Sequence, residues 1–346
     1  MTPMNSRQRT LAAVKGLPHD RIPVAQHNFP FVVRHCGLTI KEYMYNPDKA
    51  AQALADTAYD FGYDCIIIDF DTCVLAEAMG AVITVEENAP ARIAISAANT
   101  VAEVKTLKMP NPCEDGRLPL WIETTRLLRK KVGGELAIMG RADQGPFGLL
   151  GLLYSPEQLM MDLLDESAED DIFAGLELCV QTGAAFANAQ LDAGADMTSI
   201  GDGLAGESLI SPDMYMRFAQ PFEKKYRKLL GDGLLSLHIC GKSNNIIDGM
   251  AATGIEILEL DHLNDLERSF QIVANRACIF GNIDPSSVLV QGDADCVKNH
   301  CKKAILDAKR HNARFVLCPG CLMMGNTPPE NVRAMVESAA EFGQYF

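Results

Sequence analysis

Residues 234–240 read LLSLHIC, a short apolar run that ends in an imidazole and a thiol. A run of this length is typical of one strand of a parallel sheet, which is covered on both faces. Side chains two positions apart on a strand point the same way, so His238 and Cys240 project together from its C-terminal end. This stretch therefore predicts a core strand that carries two metal-type ligands.

Seven further apolar runs of this kind alternate with segments of helical periodicity, so that the eight predicted strands cover residues 22–27, 65–70, 136–140, 197–200, 234–240, 255–260, 277–281 and 315–318. Asn46, Ser155, Ser211 and Thr327 each precede a proline and are predicted helix N-caps. Strand then helix, eight times over, predicts an α/β fold of the (β/α)8 TIM-barrel type. A doubly wound open sheet is the main alternative, but no glycine-rich dinucleotide motif follows the first strand.

The longest interruption of the alternation lies between the second and third strands. Two strand-like segments there flank the turn EENAP, which predicts a hairpin inserted at residues 81–96. A helix over about residues 118–132 should follow. Because no repeat or linker divides the chain, residues 1–346 are predicted to form a single TIM-barrel domain.

Composition narrows the classes of function. The net charge of −14 argues against a nucleic-acid binder, which needs a basic face. No apolar run has the length of a membrane helix or of a signal-peptide core, so no membrane partner and a cytoplasmic location are expected. The 11 cysteines lack the spacing of a disulfide framework and should be reduced, with Cys65 and Cys278 in the core.

Polar side chains cluster where the predicted strands end, which is where TIM barrels carry their chemistry. Any one of them could instead be a helix cap or turn residue. We expect the opposite ends of the strands to carry fewer such groups. The residues at the C-terminal ends are His27, Asn28, Asp69, Asp71, Arg141, Asp143, Gln144, Asp202, His238, Cys240, Glu259, Asp261, His262, Asn282, Asp284, Cys318 and Cys321.

A third soft ligand is available after the last strand, in Cys318-Pro319-Gly320-Cys321. We predict Cys321 as a ligand from the loop and Cys318 as a strand residue. Three protein ligands, here His238, Cys240 and Cys321, with a fourth position open are typical of catalytic zinc. A core histidine beside a buried cysteine is the alternative. A redox dithiol at Cys318 and Cys321 is disfavoured because no helix opens directly on that motif.

Six short motifs link the sequence to a known family: RQRTL at 7–11, DRIPV at 20–24, GPF at 145–147, LISP at 209–212, GNIDP at 281–285 and PGC at 319–321. With them the chain resembles the uroporphyrinogen decarboxylase superfamily. Within it, the chain is similar to the cobalamin-dependent branch of methylcobamide:coenzyme M methyltransferases and corrinoid demethylases. That branch carries zinc on a His-x-Cys and a distant Cys, which implies His238, Cys240 and Cys321 here.

The resemblance implies a zinc-dependent methyltransferase that moves a methyl group between a corrinoid protein and a small methylated substrate, or a thiol or folate acceptor. The chain lacks an Asp-x-His-x-x-Gly motif, so the corrinoid (cobalamin) should be carried by a partner protein. The direction of transfer stays open, and a homodimer is compatible with the sequence. Asp202 and Glu207 are predicted catalytic residues that fill or steer the fourth metal position. Asn28, Asp143 and Asn282 are predicted substrate-binding residues.

Two other functions are alternatives for this sequence. A uroporphyrinogen-type decarboxylase would carry an arginine-rich stretch after the first strand to bind carboxylates, but residues 27–31 read HNFPF here. A catalytically silent zinc-binding barrel is disfavoured because an open metal position and many polar strand ends cost stability.

Overall fold

The structure is a computed structural model that describes residues 4–345. All eight predicted barrel strands are present in it, together with the two strands of the predicted hairpin. The strands are β1 (Ala25–Gln26), β2 (Cys65–Ile67), β3 (Val82–Glu86), β4 (Ala89–Ile95), β5 (Ala137–Gln144), β6 (Met197–Gly201), β7 (Leu234–Ile239), β8 (Ile257–Leu260), β9 (Cys278–Ile283) and β10 (Phe315–Pro319).

Eight of these strands form one parallel sheet in the order β1-β2-β5-β6-β7-β8-β9-β10. A parallel bridge between Val24 and Leu317 joins the first strand to the last and closes the sheet into a barrel. The antiparallel hairpin β3–β4 stands outside it, between β2 and β5 in the chain. The (β/α)8 fold is therefore confirmed, and the open sheet is excluded by the closure.

Helices connect the strands: α1 (Ser6–Lys15), α2 (Phe29–His35), α3 (Ile40–Tyr45), α4 (Pro47–Phe61), α5 (Val74–Ala78), α6 (Val101–Val104), α7 (Leu118–Val132), α8 (Pro146–Leu153), α9 (Pro156–Asp162), α10 (Glu169–Asp192), α11 (Pro212–Met214), α12 (Gln220–Leu229), α13 (Ile247–Ala251), α14 (Leu266–Val273), α15 (Ala294–Arg310) and α16 (Pro329–Phe342). Short 3-10 helices cover Glu166–Ala168 and Gly203–Ala205, and a π-helix covers Tyr215–Ala219. Within residues 4–345, none of the helices combines the length and apolar character needed to cross a membrane.

Most of the predicted helix starts are confirmed. The side chains of Asn46, Ser155 and Ser211 accept hydrogen bonds from backbone N–H groups in the first turns of α4, α9 and α11. The prediction of Thr327 as an N-cap was wrong. Pro328 precedes α16, and the Thr327 hydroxyl donates to the carbonyl of Met324 instead.

The core has two layers. Outward-facing strand residues pack against the helices, while inward-facing residues form a separate apolar cluster inside the barrel. Ala13 and Val14 of α1 belong to that inner cluster, so α1 closes the barrel at the N-terminal ends of the strands, called here the closed end. Cys65 and Cys278 are fully buried in the inner cluster, as predicted.

The closed end is more highly charged than the sequence predicted. Asp64 accepts hydrogen bonds from Arg9 and from both terminal nitrogens of Arg21, at 2.8–3.0 Å. Asp196 accepts from Arg7 at 2.7 Å and from Arg129 at 2.6 Å. The expectation of few polar groups here was wrong because the arginines lie outside the strands, three of them on helices α1 and α7.

Candidate metal centre and active site

A polar layer lies directly above the apolar interior, towards the C-terminal ends of the strands, called here the mouth. Because inward-facing positions recur every two residues along a strand, the residue two places beyond each interior residue also faces the lumen. The pairs are Ala25 and His27, Ile67 and Asp69, Met139 and Arg141, Met197 and Ser199, Ile257 and Glu259, and Val316 and Cys318. At the ends of β1, β2, β5, β6 and β8 the mouth therefore begins where the inward-facing side chains change from apolar to polar, whereas Cys318 of β10 still belongs to the inner apolar cluster.

The three predicted metal ligands converge at this mouth. The ligand atoms of His238, Cys240 and Cys321 all lie within 4.8 Å of one another. His238 Nε2 is 2.9 Å from Cys240 Sγ and 3.8 Å from Cys321 Sγ, and the two sulfurs are 3.9 Å apart. Strand β7 ends between the first two, and the loop after β10 brings the third.

This donor set fits a tetrahedral zinc ion. With Zn–S of about 2.3 Å and Zn–N of about 2.0 Å, tetrahedral ligands stand about 3.8 Å apart for two sulfurs and about 3.5 Å apart for nitrogen and sulfur. The distances to Cys321 match these values, and only the contact between His238 and Cys240 must widen. Cys240 is exposed, which leaves the group accessible from the mouth.

Neighbouring groups orient the imidazole. His238 Nδ1 lies 3.1 Å from the carbonyl oxygen of Glu259 on the adjacent strand, so it donates there and Nε2 keeps its lone pair for a metal. The hydrogen bond with Cys321 lowers the pKa of the Cys240 thiol against the effect of burial, and Arg141 lowers it further. The hydrogen bond with Cys240, together with burial, raises the pKa of Cys321 to about 12.

The two predicted catalytic acids lie outside the group of converging ligand atoms. Asp202 is fully buried, and its carboxylate accepts from the backbone N–H groups of Gly148 at 2.5 Å and Phe147 at 3.3 Å. It therefore caps the first turn of α8, and burial raises its pKa to about 7. Glu207 accepts from the backbone and side-chain nitrogens of Asn245 at the surface. The Asp202 carboxylate is thus engaged in capping α8, and the Glu207 carboxylate in holding a surface loop.

The three predicted substrate-binding residues differ in the hydrogen bonds that their side chains already make. Asn282 donates its amide to the carbonyls of Asp261 and Asn264, which braces two loops. Asp143 has a left-handed backbone at φ 62° and accepts from Leu75 N at 2.9 Å. Burial, with nearby carboxylates, raises the pKa of Asp143 to about 7. Asn28 is buried beside Tyr63, and within residues 4–345 neither its amide nitrogen nor its oxygen meets the geometry of a hydrogen bond.

Four further residues of the polar layer form a charged group that the sequence pointed to only as separate strand ends. His27 Nε2 donates to Asp69 Oδ2 at 2.5 Å, and Arg141 Nε lies 4.0 Å from the same oxygen. Arg141 also reaches across the lumen to within 3.6 Å of Glu259 Oε2 and donates to Ser199 at 2.8 Å. All four charged side chains are buried. The signal available in the sequence was spacing, because each of these four residues lies two positions after an inward-facing apolar residue.

A closed parallel barrel with two thiols and an imidazole converging at its mouth is the architecture of a TIM-barrel enzyme with a candidate metal centre. Residues 5–342 match the uroporphyrinogen decarboxylase (URO-D) family, and the chain therefore belongs to that family.

Individual relatives narrow the comparison. The chain is 29% identical to the methylcobamide:CoM methyltransferase MtaA of Methanosarcina barkeri, over 99% of both chains. It is 27% identical to a uroporphyrinogen decarboxylase of Syntrophotalea carbinolica, over 94% of this chain and 95% of that one. A solved methyltransferase from Methanosarcina mazei superposes with a TM-score of 0.89 at 27% identity, over 98% of this chain and 99% of that one. The predicted enzyme class, methyltransferase, is confirmed by these relatives.

Proposed function

We propose that the chain is a zinc-dependent methyltransferase that moves a methyl group between a corrinoid held by a partner protein and a small thiol or methylated substrate. The observation that carries the proposal is the convergence of one imidazole and two thiols, with distances suited to tetrahedral zinc, at the mouth of the barrel. Relatives that are named methylcobamide:CoM methyltransferases over the full length support the corrinoid partner.

The residues of the mouth have distinct roles in this proposal. His238, Cys240 and Cys321 hold the zinc, and the Glu259 carbonyl keeps His238 in the tautomer that binds through Nε2. Bound zinc supplies a Lewis acid that stabilises negative charge on the sulfur, oxygen or nitrogen of the small substrate. Asn28 and Asp143, whose side chains are both buried, are the proposed substrate-binding residues.

Decarboxylation of a polyanionic tetrapyrrole is disfavoured by the charges at the mouth. Its two buried guanidinium groups already face carboxylates: Arg117 pairs with Asp71, and Arg141 lies between Asp69 and Glu259. A substrate with several carboxylates would have to displace these partners at the cost of buried, uncompensated charge. A silent binding barrel would hold metal without any methyl transfer.

The test begins with elemental analysis of the purified wild type and of Cys240→Ser and Cys321→Ser. We expect about one zinc per chain in the wild type, as in a mononuclear catalytic site, and its loss in both variants. The rate of methyl transfer, followed as the change in the absorption spectrum of methylcobalamin with a small thiol, should fall about 1,000-fold or more, because the barrier rises by several kcal/mol.

Cys113→Ser is the matched control, because Cys113 is also an exposed free thiol but is not one of the converging ligand residues. It should keep the zinc and the activity. A metal-free wild type, or a Cys321→Ser variant that retains its zinc, would contradict the proposed site. Tight zinc with no transfer to or from any corrinoid would favour the silent barrel.

A further inference from the structure

A buried histidine–aspartate pair stands in the polar layer and takes no part in holding metal. His27 follows β1 and Asp69 follows β2, and both side chains face the lumen. His27 Nε2 lies 2.5 Å from Asp69 Oδ2, and this is the only hydrogen bond that the imidazole makes within residues 4–345. With the Nε2 proton directed at Asp69, the neutral ring keeps its lone pair on Nδ1.

We infer that His27 and Asp69 form the proton-transfer dyad of the methyl-transfer site, in which His27 Nδ1 exchanges a proton with the small substrate and Asp69 orients the ring. The inference rests on the proposed function. The inference extends the proposed function, because methyl transfer requires a proton to leave or reach the substrate. None of the three metal ligands is free to carry that proton.

One proton is exchanged with the small substrate in either direction of transfer: a thiol loses it, and a leaving oxygen gains it. When a thiol accepts the methyl group of a methylated corrinoid, its S–H bond breaks, the S–CH3 bond forms, and cobalt keeps the electron pair of the broken Co–C bond. The thiol proton passes to Nδ1. When a methyl ether is the donor and reduced corrinoid the acceptor, the electron pair of cobalt forms the Co–CH3 bond, the C–O bond breaks with its electron pair left on oxygen, and protonated His27 delivers the proton to that oxygen.

The surroundings of the dyad favour this role over a simple structural pair. Burial opposes the charge on Asp69, but the hydrogen bond from His27 and the nearby Arg141 lower its pKa below the ordinary value. Asp69 thus remains an anion that accepts the hydrogen bond from Nε2 and orients the ring, as the carboxylate does in a hydrolase triad.

Tyr43 of α3 and Asp143 of β5 lie near Asp69. Three further groups face the dyad: Arg141 from β5, Glu259 from β8 and Cys318 from β10. Their charges offset one another, because Arg141 stands between Asp69 and Glu259. Burial raises the pKa of Cys318 well above its ordinary value, so this thiol stays neutral and does not compete for the proton.

Proton release on thiol binding tests the dyad without turnover. Titration calorimetry of the zinc-loaded wild type with a small thiol, near neutral pH in buffers of different ionisation enthalpy, counts the protons given to the buffer. We expect the wild type to retain the proton and release close to none, whereas His27→Gln should release about one proton per thiol bound. Full release by the wild type would overturn the inference, and this arm requires no variant to fold.

Turnover gives the second readout. His27→Gln should slow methyl transfer by about 100- to 10,000-fold and remove one limb of the pH profile of kcat/KM. Asp69→Asn should keep that limb but lower the rate. Added imidazole should restore part of the activity of His27→Ala. Unchanged rate and pH profile in a folded His27→Gln enzyme would contradict the dyad.

The chain offers a matched control in His35, whose Nε2 lies 2.9 Å from Asp60 in a largely exposed pair outside the barrel. His35→Gln should match the wild type in proton release and rate. Failure of the inference is distinguishable from failure of the proposed function, because the latter removes zinc or methyl transfer from the wild type itself. The former leaves both in place and alters only the behaviour of His27 variants.

Discussion

The two ends of the barrel both bury charge, but they use it differently. At the closed end, Asp64 accepts hydrogen bonds from Arg9, from Arg21 and from the backbone of Val24, all within 3.0 Å. At the mouth, the side chain of Arg141 makes one hydrogen bond within residues 4–345, to Ser199, and its two carboxylate neighbours lie 3.6 and 4.0 Å away.

The difference separates stability from function. A buried carboxylate with every lone pair satisfied locks α1 and the loop before β1 onto the strands, because losing any partner leaves a charge in a low-dielectric interior. The mouth, as far as residues 4–345 show it, keeps groups that could still bind a ligand: the thiols of Cys240 and Cys321 and Nδ1 of His27. Groups without a full set of partners cost stability, but they are available to ligands.

The largest effect on stability should come from Asp64→Asn at the closed end. The variant leaves two guanidinium groups without their shared carboxylate, so the free energy of unfolding should fall by about 3–5 kcal/mol. Urea denaturation followed by circular dichroism measures this loss. Zinc content should be unchanged, since α1 and the mouth lie at opposite ends of the strands.

Glu259→Gln is the matching change at the mouth, where the guanidinium contact is longer. It should cost less than Asp64→Asn, because the amide can still accept the hydrogen bond from Ser236. An equal or greater loss from Glu259→Gln would mean that the mouth is as tightly braced as the closed end.

An intermediate effect is expected for Asp202→Ala, which separates the predicted catalytic role of this residue from its structural contacts. Removing the cap on α8 should lower the free energy of unfolding by about 1–2 kcal/mol. If capping is its main role, zinc content and the pH profile of methyl transfer should resemble those of the wild type. Loss of zinc from the folded variant would instead support the predicted steering of the fourth metal position.

The smallest effect should appear in acid, at the Arg9–Asp20 pair of the closed end. Burial opposes ionisation, but two hydrogen bonds from Arg9 lower the pKa of Asp20 from 3.8 to about 2. A lowered carboxyl pKa stabilises the fold fully above pH 4, and this contribution is lost as the pH falls towards 2. The difference in unfolding free energy between wild type and Asp20→Asn should shrink over that range. A difference that persists at pH 2 would show that the pair acts through packing.

Much of the candidate site could be predicted because its signals are local. A strand that alternates in and out puts His238 and Cys240 on one side, and the loop after the last apolar run of the barrel supplies Cys321. The helix caps at Asn46 and Ser155 are equally local. Thr327 was misassigned because two prolines follow it, and the second of them rather than the first begins α16.

The sequence by itself determined the eight strands, the barrel and the residues that end each strand, because strand period, apolar run length and turn chemistry act over a few neighbouring positions. Only the tertiary structure decided which of those ends meet. Barrel closure brings Cys321 within 3.8 Å of His238, 83 residues away, and sets His27 against Asp69. It also draws the arginines of α1 onto strand carboxylates at the closed end. Such pairings depend on the register and closure of the whole sheet, which no short segment encodes.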